Sequence, residues 1–180
     1  QYTRERISHR LPPYIVLVSD SRSADMTVRA TELNYQLSFR ITDVDRRNKK
    51  YKKNYRYTGG QCGLHQRAFY TRITEKGEAF ADYQLLVNLK GTGRYKDTVQ
   101  IRATESFRRG EALRAQTNCG IQPTVHFPNA AVAKLFARSN QENRQSTAFV
   151  VRKEATQKLA NVIASTIQAR SEQYYAVLAA

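Results

Sequence analysis

Residues 79–103 read AFADYQLLVNLKGTGRYKDTVQIRA, and the fold class turns on them. Ala79, Ala81, Tyr83, Leu85, Val87 and Leu89 recur at every second position. Tyr95, Asp97, Val99, Ile101 and Ala103 resume the period after the link Lys90-Gly91-Thr92-Gly93-Arg94. A period of two sets one group of side chains on one face of a strand. A short glycine-bearing link joins antiparallel neighbours. The stretch therefore predicts a β-hairpin.

Toward the N-terminus the same period continues. Leu33, Tyr35, Leu37, Phe39 and Ile41 share one face, while Asn34, Gln36, Ser38, Arg40 and Thr42 share the other. This predicts a long half-buried strand within Met26–Thr42, in an antiparallel sheet covered on one side only. A further alternating stretch spans Ala68–Thr74, and the short apolar run Tyr14–Val18 suits another strand. The carboxylate pairs Asp43 with Asp45 and Glu75 with Glu78 fit solvated turn residues. Residues 1–13, QYTRERISHRLPP, form a basic N-terminal arm ending in two prolines that hold extended geometry. The first residue is Gln1 rather than Met, which points to removal of a targeting peptide or an initiator region.

Toward the C-terminus, Glu105–Gln122 has no clear period and predicts a loop, followed by a short PTVHFP strand at 123–128. Beyond Pro128 the period becomes 3.6. Asn129–Ser139 predicts a short helix, and SNQENRQS reads as a linker with Ser146 or Thr147 as the next N-cap. Val151, Ala155, Leu159, Val162, Ile163, Ile167 and Tyr174 then form one stripe, with Arg152, Lys153, Lys158, Asn161, Gln168 and Ser171 largely away from it. This predicts an amphipathic helix from about 147 to about 172 or later, lying across the sheet.

The fold class is α+β, with residues 14–180 as a single domain. Residues 14–127 supply a mainly antiparallel β-sheet of about five to seven strands, and residues 129–178 supply one or two C-terminal α-helices packed on one face. A chain of 180 residues is long enough to bury such a core. Strands first and helices last is similar to the layout of the small RNA-phage coat proteins, whose sheet binds RNA and whose helices clasp a dimer partner. The likeness is one of layout, without a shared motif. It implies a non-enzymatic protein that binds RNA or packages it in an assembly.

Charge points the same way. Thirty Lys and Arg against 15 Asp and Glu give a net +15 and a pI near 10.1. Such an excess draws polyanions: nucleic acid, anionic lipid or acidic glycan. It peaks at residues 46–57, RRNKKYKKNYRY, where Arg46, Arg47, Lys49, Lys50, Lys52, Lys53 and Arg56 stand with Tyr51, Tyr55 and Tyr57. No acid occurs from Arg46 to Thr74. A hairpin turning near residues 46–49 would project these cations toward phosphates, with tyrosine faces on which exposed bases stack. The plainer reading is a solvated hairpin whose lysines guard a sheet edge. Lys90, Arg94 and Lys96 form a secondary basic surface at a turn between strands, where the phosphate-loop mechanism does not apply.

No catalytic set, cofactor or metal is assigned. Cys62-x-x-His65 with Cys119 and His126 offers four ligand types that zinc accepts, but six residues separate the second pair. A Cys62–Cys119 disulfide and two unrelated thiols are the other readings. His9, His65 and His126, with the many lysines, could serve acid–base chemistry on RNA. PTVHFP resembles the PVHF-D segment of the pancreatic ribonucleases, although Pro128 stands in place of that family's aspartate and its set of disulfides is absent. No apolar run reaches the roughly 18 residues of a membrane span, so no integral insertion is expected. The expected function is non-enzymatic binding of nucleic acid, RNA before DNA, as a homo-oligomer or in a larger assembly. Extracytoplasmic binding of anionic lipid or glycan and a small basic ribonuclease are the alternatives.

Overall fold

The computed structural model describes residues 2–52, 65–117 and 125–179. The elements are helix α1 (Tyr2–Ser8), strands β1 (Met26–Lys52), β2 (His65–Leu89) and β3 (Gly93–Thr117), and helices α2 (Ala130–Phe136) and α3 (Asn140–Ala179), with a 3-10 turn at Ser21–Ser23. The strands form one antiparallel sheet in the order β1-β2-β3, so β2 is central. The α+β class holds, but the described residues form three strands of 25 to 27 residues rather than five to seven shorter ones.

The strands are long because two apparent interruptions are not turns. The EKGE segment at residues 75–78 continues β2 without a break. Glu75 is fully buried, not solvated, and arginines neutralise it. Gly77 serves close packing, since a Cβ there would lie 2.9 Å from the Phe39 ring and 3.0 Å from the Thr147 methyl. Residues 105–117, expected as a loop, extend β3 with Arg109 buried in it. A positive φ at Ala112 (54°) marks a local irregularity in that strand.

By contacts the chain packs as two compact units, each drawing on all three strands and on α3. One unit comprises residues 1–38, 78–104 and 149–180. Its core sets Ala79, Ala81, Tyr83 and Leu85 of β2 and Ile101 and Ala103 of β3 against Val151, Ala155, Leu159, Ile163 and Ile167 of α3. The predicted hairpin and helical stripe therefore meet each other. The link between β2 and β3 relies on Gly91 (φ 77°) and Gly93 (φ 138°), in a region glycine enters without strain. Ser171 departs from its expected exposure: it is buried, and its hydroxyl donates to the Ile167 carbonyl at 2.6 Å.

The N-terminal stretch expected as an extended arm instead contains α1, whose Ile7 joins this core. Tyr14–Val18 forms no strand. Its alternation persists, with Ile15 and Leu17 packed against the core and Tyr14, Val16 and Val18 exposed. A turn bond from Ile15 N–H to Pro12 O and a bond from Arg4 Nη2 to Leu17 O (3.1 Å) hold it in place of a ladder. On β1, Tyr35 and Leu37 pack inward, whereas Leu33 is exposed. Glu32 meets α3 instead. It accepts from Tyr83 Oη and Arg152 Nη1, each at 2.8 Å, while Arg152 lies 4.2 Å from the Tyr35 ring centroid. Burial opposes the Glu32 charge, but the bonds from Arg152 and Tyr83 outweigh it and hold the carboxyl below its ordinary range. Burial, followed by the bond to Glu32, pushes the Tyr83 phenol up to about 12.

The second unit comprises residues 39–77 and 105–148. Asn129 caps α2 by accepting from Val132 N–H at 2.8 Å. The expected linker at 139–146 is the start of α3. Glu142 N–H donates to Ser139 Oγ (3.1 Å) and Ser139 N–H donates to Glu142 Oε2 (2.7 Å), a reciprocal capping box that starts the helix ahead of the expected cap at Ser146 or Thr147. Val125–Phe127 forms no strand, and Phe127 stacks on Phe136 of α2 with centroids 5.4 Å apart. Among the described residues no helix is long and apolar enough to cross a membrane.

Candidate nucleic-acid interface

Arg46 to Lys52 remain within β1, so the expected turn near residues 46–49 does not occur there. The neighbouring end of β2 supplies the reason. Thr42 Oγ1 donates to Thr74 O at 3.3 Å, Arg72 Nη2 donates to Asp45 Oδ2 at 3.0 Å, and Arg67 Nη1 donates to Asn48 Oδ1. These ties keep β1 paired into the cationic segment. Lys53, Tyr55, Arg56, Tyr57, Cys62 and Cys119 lie outside the described residues.

Arg46, Lys49 and Lys50 are exposed, and among the described residues they hold no ion pair. Their neighbour Arg47 differs. Its Nε donates to Asp45 Oδ2 at 2.6 Å, on the oxygen that Arg72 also reaches. The bond from Arg47, with the charges of Arg47 and Arg72, holds the Asp45 carboxyl below its usual range against the cost of desolvation. Reciprocally, Asp45 raises the pKa of Arg47. Asp45 is thus engaged by Arg47 and Arg72 rather than by Arg46, Lys49 or Lys50. Tyr51 is half-buried in the same strand.

Lys90, Arg94 and Lys96 are exposed around the β2–β3 link and belong to the other unit. There Lys90 N–H donates to Asp25 O at 2.9 Å. Of the four residues considered for zinc, Cys62 and Cys119 are outside the description, His65 opens β2, and His126 is half-buried ahead of α2. No group of three metal-ligating side chains occurs among the described residues.

Sequence reasoning missed the charge cluster beneath this end of the sheet. Glu75 Oε2 accepts from Arg109 Nε at 3.1 Å, and its Oε1 accepts from Arg144 Nε at 2.6 Å. Arg109 also pairs with Glu111, and Arg144 lies 5.3 Å from the Phe39 ring centroid. Burial works against the charge of Arg109, but Glu111 and Glu75 more than offset it and raise its pKa. A carboxylate with both oxygens occupied by guanidinium groups serves to hold strands and helix together. The available signal was the odd-numbered buried series of β2, which continues from Ala79 through Gly77 to Glu75.

No family model matches this chain, and neither a curated protein nor a solved structure is significantly similar to it.

Proposed function

We propose that this chain is a non-enzymatic RNA-binding protein of structural or packaging type that contacts phosphates through the cationic end of β1. The observation carrying this reading is the exposed set Arg46, Lys49 and Lys50 on a paired strand whose nearest acid, Asp45, is engaged by Arg47 and Arg72. Concentrating like charges adds nothing to stability, and phosphates that displace counterions at such a site gain affinity in low salt.

The test is a salt titration of the full chain against RNA, duplex DNA and anionic vesicles. Log affinity for RNA is expected to fall linearly with log salt. Arg46→Glu/Lys49→Glu/Lys50→Glu is expected to flatten that slope by about 2, from roughly 0.7 per lost contact with a single strand. Binding to vesicles alone would replace this reading with the lipid alternative. RNA turnover abolished by His126→Ala would replace it with the ribonuclease.

A further inference from the structure

One face of the sheet in the second unit combines cations with a stacking surface. Side chains alternate along a strand, so Arg46, Asn48 and Lys50 share one face of β1. The bond from Arg67 to Asn48 carries that face onto β2. Phe69 lies two residues beyond Arg67 and shares its side, because the buried phase of β2 passes from odd positions, the last being Ile73, to the even position Ala68. Arg114 of β3 extends across, with its guanidinium carbon 4.7 Å from the Phe69 ring centroid. Three strands thus contribute to one surface in the order β1-β2-β3.

Burial agrees with this assignment. Arg46, Asn48, Lys50, Arg67 and Arg114 are exposed and Phe69 is half-buried. The intervening Ala68 is fully buried, and Tyr70, Leu113 and Ala115 are half-buried on the opposite side. None of the six residues on the exposed face is acidic. A planar guanidinium lying over an aromatic ring is a surface on which a base can stack, and the flanking cations match phosphate charge. In a duplex the base faces are already stacked on one another, so a duplex could use only the cations.

We infer that this face takes single-stranded RNA, with phosphates against Arg46, Lys50 and Arg67 and one unpaired base stacked on the Arg114–Phe69 pair. The inference rests on the RNA-binding reading of the same unit. It adds a preference for unpaired bases that charge alone does not supply.

The experiment uses the full chain with three probes: single-stranded RNA carrying 2-aminopurine, the corresponding blunt RNA duplex, and inorganic polyphosphate. Wild type is expected to bind the single strand more tightly than the duplex and to quench its 2-aminopurine emission. Arg114→Lys keeps the charge but loses the plane, and Phe69→Leu keeps an apolar side chain but loses the ring. Each variant, with its fold verified by circular dichroism, is expected to weaken single-strand binding about tenfold and to abolish the quench. Binding of duplex and polyphosphate is expected to stay within about twofold of wild type, because the phosphate contacts remain. Equal wild-type affinity for single strand and duplex, or variants that bind and quench as wild type does, would overturn this inference and leave the RNA-binding reading standing. Failure of wild type to bind either RNA would overturn both.

Discussion

Replacing Glu75 with glutamine removes a buried negative charge while conserving shape. Its carboxylate has 0% side-chain exposure, and its partners Arg109 and Arg144 are 11% and 46% exposed. An amide can still accept one hydrogen bond, but its NH2 group then faces the other guanidinium. Breaking a buried pair costs about 3–5 kcal/mol, chiefly because the remaining charge is left without compensation. Here Arg109 keeps Glu111 and Arg144 can turn toward water, which places Glu75→Gln near the lower end, about 3 kcal/mol. At a urea dependence of about 2 kcal/mol per molar, the unfolding midpoint falls by about 1.5 M. The assay is urea denaturation at pH 7 followed by far-UV circular dichroism. Glu75→Leu combined with Arg109→Met removes both buried charges and is expected to unfold within about 1 kcal/mol of wild type. A glutamine variant within about 0.5 kcal/mol of wild type, or a double variant less stable than the single, would refute the assignment of this cluster as a desolvated network.

Four further outcomes are expected. Gly110→Ala drives a Cβ into the Phe136 ring and should cost about 1–3 kcal/mol in thermal unfolding, relieved by Phe136→Leu. Ser139→Ala removes half of the box that starts α3. It should cost about 1 kcal/mol, lowering Tm by about 2–4 °C, whereas Ser139→Asp should retain most of the stability. Tyr83 should ionise near pH 12, read as absorbance at 295 nm missing from Tyr83→Phe. Because its folded pKa lies above the ordinary 10, its contribution to stability is intact below pH 10 and is lost as pH rises toward 12. Glu32 behaves oppositely: its lowered pKa supports the fold above the ordinary carboxylate range, and that support is lost as pH falls through the folded value.

The hairpin at 79–103 and the stripe on α3 were legible because each presents a mostly apolar face whose period stands out locally. The full length of β2 and β3 was not. The sheet continues through Glu75 and Arg109, two buried charges that pair with each other across 34 positions. A local pattern records the charge but not its partner. Gly77 and Gly110 look like breaks for the same reason, since glycine marks both turns and close approaches, and only the Phe39 and Phe136 rings distinguish them. The start of α3 was readable from Ser139 and Glu142, but the polar run around them resembles a linker. Within the interface, the cations were evident from composition, whereas Arg114 enters only through the pairing of β3 with β2.

The unbroken run of β1 into its cationic end gives the charge there a phase as well as a magnitude. Side chains on one face of a strand repeat about every 6.8 Å, and inserting one residue exchanges the two faces. A single residue inserted between Phe39 and Arg46 would leave the net charge of +15 untouched while turning Arg46 and Lys50 to the other side of the sheet. Inserting two would restore them. The side of the sheet on which these cations stand therefore depends on the parity of the stretch's length more than on the identity of any one lysine.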